Sequence, residues 1–200
     1  MPELQYSLFP DIGVRQLATL RVALRLFNDK GYFNTSVHQI VAESGVSVGF
    51  FYHHFNDKEG IARALYQHLL QGMNELLDDI EKRSARADDR CAAVIQMLFS
   101  LTENEPQAMG FVIHARHREF LPTEKSICTT SAFVRMRRFV AEGIEQGEVK
   151  TIDPVVASAL MYGAAIRLVC LRLDGIVERP LHDYFDELWS HTWAELQGGQ

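Results

Sequence analysis

An all-α fold is predicted for this 200-residue chain by three features. Apolar residues recur at three- and four-residue steps almost throughout, no segment shows a sustained two-residue alternation, and Pro and Gly stand where helices begin and end. Apolar residues make up 47% and charged residues 23% of the chain, which excludes collagen-like and disordered classes and leaves enough chain to bury a core. No apolar run approaches the roughly 18 residues of a membrane span, and Met1-Pro2-Glu3-Leu4-Gln5 lacks the basic start of a secretory signal. A cytoplasmic protein with no membrane partner is therefore expected. Cys91, Cys128 and Cys170 are odd in number and widely separated, so they read as buried thiols rather than as disulfides or zinc ligands.

Each helix has its own signals. Leu17, Leu20, Ala23, Leu24 and Phe27 define the first, which Lys30-Gly31 closes with a cation and a residue tolerant of positive φ. Ser36-Val37-His38-Gln39 has the S-x-x-Q pattern of a capping box and opens a short second helix that stops at Ser44-Gly45. Ser47 caps a third helix through about His54, with Phe51 and Phe55 turned inward. Asp57 caps a fourth, in which Ile61, Leu65, Leu69, Met73, Leu76 and Ile80 form one apolar stripe. From Lys58 to near Glu81 that helix measures about 36 Å at about 1.5 Å per residue. Five further helices are predicted at about 88–102, 106–118, 126–146, 154–173 and 181–197. Pro106, Pro154 and Pro180 lie near their starts, Glu105 and Asp153 are candidate caps, and Gly147 and Gly175 follow helix ends. Neither an internal repeat nor a low-complexity linker occurs, and the chain divides functionally near Asp57 into residues 1–57 and 58–200.

The net charge of −6 argues against indiscriminate polyanion binding, yet it is unevenly placed. Residues 1–58 carry five Lys/Arg against five Asp/Glu, and the remainder fifteen against twenty-one. A neutral front bearing His38, His53 and His54 permits nucleic acid without demanding it. The second and third helices, joined by a glycine turn, have the form of the helix-turn-helix unit that seats a recognition helix in the DNA major groove; ordinary packing of a helical hairpin is the alternative. Leu26-Phe27, Gly31-Tyr32, Thr35-Ser36-Val37, Ile40-Val41, Gly45-Val46-Ser47, Gly49, Tyr52-His53-His54-Phe55 and Lys58-Glu59 together resemble the N-terminal domain of TetR-type transcriptional regulators. The resemblance covers roughly residues 14–62. Beyond them only Glu145-Gln146-Gly147-Glu148-Val149 and the last two long helices look similar, in a general way. It implies an N-terminal three-helix helix-turn-helix DNA-binding domain joined through a long fourth helix to a C-terminal helical ligand-binding and dimerisation domain.

Candidate DNA-binding residues are Thr35, Ser36, Ser47, Val48, Gly49, Phe50, Tyr52, His53 and Lys58. Thr35 and Ser36 stand at a helix start where free N–H groups attract phosphate, and Lys58 does so at the fourth helix. Gly49 costs about 1 kcal/mol relative to Ala inside a helix, which close approach of a backbone, of the partner or of the second helix, offsets. Tyr52 and His53 lie opposite Phe51 and Phe55 and can donate to phosphate or bases; the resemblance implies that Tyr52 contacts the phosphate backbone. Where such regulators often carry polar residues, this chain has Val48 and Phe50, which suit thymine methyl groups or helix packing and leave Ser47 and His53 as polar readers. Residues 1–14 contain no Lys or Arg, so a basic minor-groove arm is not expected.

The last two helices carry more apolar surface than an outer pair exposes, and dimerisation buries it economically. The expected interface includes Leu160, Gly163, Ala164, Tyr184, Leu188 and Trp189; the resemblance implies a four-helix bundle between symmetry mates, hence a homodimer on a palindromic operator. An inducer pocket is expected between the fifth and eighth helices, with Met97, Phe99, Met109, Phe111, His114, Phe133, Met136, Met161 and Tyr162 as candidates by type, although each also suits plain core. His114 and His117 have metal-compatible spacing but no evident third ligand, so no metal and no cofactor is expected. His68 suits either a core histidine or a relay. The expected function is a ligand-responsive regulator, by resemblance a repressor, released from double-stranded DNA by a small apolar or amphipathic inducer. The alternatives are a helical enzyme, for which no G-x-S-x-G, H-E-x-x-H or nucleotide-binding glycine loop is present, and a dimeric binding protein without DNA activity.

Overall fold

A computed structural model describes residues 8–9, 12–115, 117–124 and 129–199. Among the described residues ten α-helices run in order: α1 Val14–Lys30, α2 Val37–Ser44, α3 Val48–Phe55, α4 Lys58–Arg83, α5 Ala87–Asn104, α6 Pro106–His114, α7 His117–Phe120, α8 Ser131–Glu145, α9 Pro154–Leu173 and α10 Phe185–Leu196. A 3-10 turn at Leu181–Tyr184 precedes α10, and one antiparallel bridge pairs Val149 with Gln197. The all-α prediction holds.

The described residues pack as two compact units, one within 8–73 and 107–124, the other within 74–106 and 129–199. These units divide the chain elsewhere than the 57/58 boundary expected from the motif, because the first half of α4, α6 and α7 pack with α1 to α3. In this first unit Leu20, Leu24, Ile40, Phe51, Ile61, Leu65 and Leu69 are fully enclosed. In the second, α5, α8 and α9 pack on one another and α10 on α9. Glu103 of α5 accepts from Arg172 Nε and Nη2 at 3.0 and 2.9 Å and from the Leu181 amide at 2.9 Å, tying α9 and the 3-10 turn to α5. The Arg172 guanidinium holds the Glu103 carboxyl below its usual range.

The caps follow the sequence signals. Ser36 Oγ accepts from the Gln39 amide at 3.2 Å while Gln39 Oε1 accepts from the Ser36 amide at 2.9 Å, the reciprocal capping box. Ser47 Oγ accepts from the Phe50 amide, Asp57 Oδ1 from the Gly60 amide, and Asp153 Oδ1 from the Val155 and Val156 amides. Four details differ from expectation. The predicted helix at 106–118 stops at His114, and the break turns His117 into the core instead of beside His114. The apolar stripe of α4 continues through Leu77, fully enclosed, rather than the half-buried Leu76, because four-residue steps from Met73 lead there. Cys91 is buried but Cys170 only half-buried, and Cys128 lies outside the described residues. Finally, α9 has the length and composition of a membrane-crossing helix, 20 residues with a mean hydropathy of 1.8. Arg167 and Gly163 interrupt the run that a residue-by-residue reading looks for, while the average passes.

Candidate nucleic-acid interface

The α2–α3 pair is built by its own short sequence. The capping box starts α2, and Gly45 ends it at φ +68°, where a side chain would be strained although nothing crowds it. Two residues later Ser47 starts α3. Phe51 and Phe55 are 0% and 4% exposed and root α3 in the core; Val48 and Tyr52 are about half exposed, 49% and 50%. Ser47, Gly49 and His53 are also exposed. One face of α3 is thus buried and the other presents a hydroxyl, a phenol, an imidazole and a methyl-bearing side chain outward, a set able to donate to anions and to touch apolar base edges.

Gly49 has open space where a Cβ would stand, its nearest neighbour being the Ser47 hydroxyl at 4.0 Å. Packing against α2 therefore does not account for it. Phe50 is half-buried: its ring centroid lies 4.2 Å from that of His54, and the Arg15 guanidinium sits 5.8 Å from it. Arg15, on the first turn of α1, was not singled out from the sequence, where the available signal was a cation at that helix start.

Two expected phosphate contacts need correction. Thr35 is 2% exposed, and its hydroxyl is directed to the Leu26 and Gly31 carbonyls at 3.2 and 3.0 Å, so this side chain locks the α1–α2 turn from inside. Lys58 Nζ donates to the Tyr32 carbonyl at 3.0 Å and lies 4.4 Å from the centroid of the Tyr32 ring. That carbonyl, beyond the end of α1, also accepts from the Thr35 amide at 3.3 Å, so the ammonium is its second donor and braces the turn; burial lowers the Lys58 pKa. Ser36 remains exposed, its hydroxyl engaged in the capping box.

The expected inducer residues do not come together. Met97, Phe99, Met136, Met161 and Tyr162 are buried in the second unit, with Phe133 half-buried there, whereas Met109, Phe111 and His114 belong to the first. The Tyr162 hydroxyl bonds the Met136 carbonyl and Cys91 Sγ, each at 3.2 Å, and burial pushes the Cys91 thiol up to about 12, an unreactive core thiol. Phe111 and exposed His114 instead line a cavity of about 320 Å³ in the first unit, with Phe27, Tyr32, Phe33 and Phe120. His117 is 6% exposed, between the Phe111, Phe120 and Tyr66 rings, and desolvation lowers its pKa to about 4. No group of three or more His, Cys, Asp or Glu suited to a metal occurs among the described residues.

The expected interface residues lie on α9 and α10 or the turn before α10. Leu160 is 48% exposed, Gly163 and Ala164 are exposed, and Tyr184, Leu188 and Trp189 are half-buried. Val155 and Val156 extend the same open apolar stretch of α9.

A small helical headpiece with an exposed third helix defines the class: a helix-turn-helix protein of the kind that reads DNA. Residues 20–65 match the family model described as bacterial regulatory proteins, tetR family. The HTH-type transcriptional regulator BetI of Brucella melitensis biotype 2 is 28% identical over 117 residues, covering 55% of this chain and 59% of that protein. The chain thus spans less than two thirds of the length of that curated relative. A TetR family transcription regulator from Marinobacter aquaeolei VT8 shares the fold with a TM-score of 0.76 at 19% identity, covering 92% of this chain and 96% of that one. FadR from Bacillus subtilis in complex with stearoyl-CoA does so at 0.73 and 20% identity, covering 89% and 97%. Residues 20–65 thus match the TetR-type headpiece, the chain shares its fold with TetR-family structures, and the relatives named here are transcriptional regulators.

Proposed function

We propose that this chain is a cytoplasmic repressor that binds a palindromic operator as a homodimer and is released by a small apolar or amphipathic molecule. The observation that carries the DNA reading is the asymmetry of α3, anchored by Phe51 and Phe55 while Ser47, Val48, Tyr52 and His53 face outward. Uncrowded Gly49 supports it, since a backbone can approach there. Arg15 adds positive charge beside the helix, and Val48 supplies apolar contact to thymine methyl groups. The exposed apolar stretch of α9 supports a twofold partner, and a twofold protein pairs with half-sites about 34 to 36 Å apart. The acyl-CoA held by a fold relative supports an amphipathic inducer.

Electrophoretic retardation with the DNA flanking the chain's own gene tests this reading. The logarithm of the affinity is expected to fall with that of the salt concentration by about 0.9 for each phosphate neutralised. Tyr52→Phe is expected to weaken binding by roughly 5- to 10-fold with an unchanged melting temperature, the loss of one hydrogen bond to phosphate. Retardation insensitive to both contradicts the assignment of α3.

A further inference from the structure

We propose that His53 and His54 are the principal cations of the DNA-reading helix, so that the chain takes up protons when it binds a duplex and holds it more tightly as pH falls. The proposal deepens the DNA-binding reading and rests on it. Its starting point is a shortage of positive charge. Residues 36–57, which make up α2, α3 and the turns around them, contain no Lys or Arg. Contacts to the phosphate backbone nevertheless carry much of the affinity of a protein for DNA, and cations make most of them.

The five Lys/Arg of residues 1–58 do little to relieve the shortage at α3. Arg25 is paired with Glu43, Arg21 lies 5.2 Å from the centroid of the Phe9 ring, Lys58 Nζ donates to the Tyr32 carbonyl at 3.0 Å, and Lys30 closes the opposite end of α1 from Arg15. Arg15 stands beside α3, 5.8 Å from the centroid of the Phe50 ring. His53 and His54 occupy the last turn of α3, and both are exposed, with ring centroids 4.9 Å apart. His53 is two residues from each of the buried Phe51 and Phe55, so at 3.6 residues per turn it points away from the core. The His54 ring lies 4.2 Å from that of Phe50 and continues the surface toward Arg15.

The carboxylates around this pair have partners of their own. His53 and His54 share a concave surface with Asp57, Glu59 and Arg63. Asp57 accepts from the Gly60 amide at 2.7 Å, and Glu59 is bonded to Arg63, which also reaches Glu124 at 3.2 Å. On α2, packed against α3, the titratable groups are His38 and Glu43, the latter held by Arg25 of α1. An imidazole gains its charge between about pH 5 and 8, and an opposite charge within about 4 to 6 Å favours the charged form. A phosphate laid on the outer face of α3 therefore draws protons onto the pair. The complex then holds more protons than the free chain and duplex, and by linkage affinity rises as pH falls.

Fluorescence anisotropy with the full chain and the duplex flanking its own gene, over a salt series at pH 6 and at pH 8, tests the proposal. Affinity is expected to be about 10-fold or more tighter at pH 6, and the fall of its logarithm with that of the salt concentration steeper there by about 0.9 for each imidazolium that meets a phosphate. In the double variant His53→Gln with His54→Gln, which keeps side-chain donors but cannot take up a proton, the ratio of affinities between the two pH values is expected to shrink to about 2-fold or less, whatever the absolute affinity. Should that variant fail to fold, calorimetry of the unmodified chain in buffers of different protonation enthalpy decides the point: uptake of about one proton per headpiece on binding is expected at pH 7, and none overturns the proposal. Equal affinities and salt slopes at the two pH values, or an undiminished ratio in the double variant, overturn the proposal and leave the DNA-binding reading intact. Binding at neither pH overturns both.

Discussion

Single side chains decide how this headpiece responds to its surroundings, and His117 is the clearest case. A histidine held neutral by burial, with a pKa of about 4 against an ordinary value of 6.5, binds fewer protons folded than unfolded in the interval between those values. Stability is therefore full above pH 6.5 and declines as pH falls toward 4. Between pH 7 and pH 5 the loss from this residue is about 2 kcal/mol. Urea melts of the unmodified chain and His117→Phe at both pH values are expected to differ in slope by that amount; parallel profiles contradict the buried neutral imidazole. His68 is lowered in the same direction by partial burial and adds to the trend in both proteins. The inward turn of His117 was not legible in the sequence, where a three-residue spacing from His114 on an unbroken helix places the two on one face. The break after His114 has no Pro or Gly to announce it.

At the scale of elements, the short helices were legible because their signals are local. Ser36 with Gln39, Ser47, Asp57 and Gly45 each act within four residues of themselves, and each appears in the structure in the expected role. Requirements set by packing were not. Gly60 looks like an ordinary third position of a helix, yet a Cβ there would stand 1.8 Å from the Phe55 carbonyl oxygen, because the α3–α4 turn folds back on itself. Gly72 is similarly pressed by the Leu8 backbone at 2.8 Å. Thr35 and Lys58 stand in the sequence as candidate phosphate contacts, although their partners are carbonyls near the end of α1 and in the turn beyond it, whose orientation no spacing rule reveals. The two kinds of glycine separate in a melting experiment. Gly45→Ala is expected to cost about 1 to 2 kcal/mol, the price of positive φ alone, since no atom lies within 4 Å. Gly60→Ala is expected to cost more, because the turn must open; equal losses contradict the tight joint.

At the scale of the whole molecule, the open apolar face of α9 calls for a partner. Val155, Val156 and Leu160 are 69%, 51% and 48% exposed along α9, a helix apolar enough to pass for a membrane span. In the proposed homodimer a second copy covers this face. Leu160→Glu is accordingly expected to give a folded monomer by light scattering that has lost DNA retardation, whereas a variant still dimeric places the interface elsewhere. The pocket was the least legible feature: residue type pointed to Met and aromatic side chains along α5 to α9, most of which fill the core, while the cavity of about 320 Å³ opens in the unit that contains α3. Aromatic residues look alike in sequence whether they fill space or border it.

The most direct trial of the central claim is selection of bound duplexes from a random pool by the full-length chain at low ionic strength. An inverted repeat whose halves lie about one DNA turn apart is the predicted outcome. Sequences with no common element, or a single unrepeated site, would contradict a dimer that presents two copies of α3 to one face of the duplex.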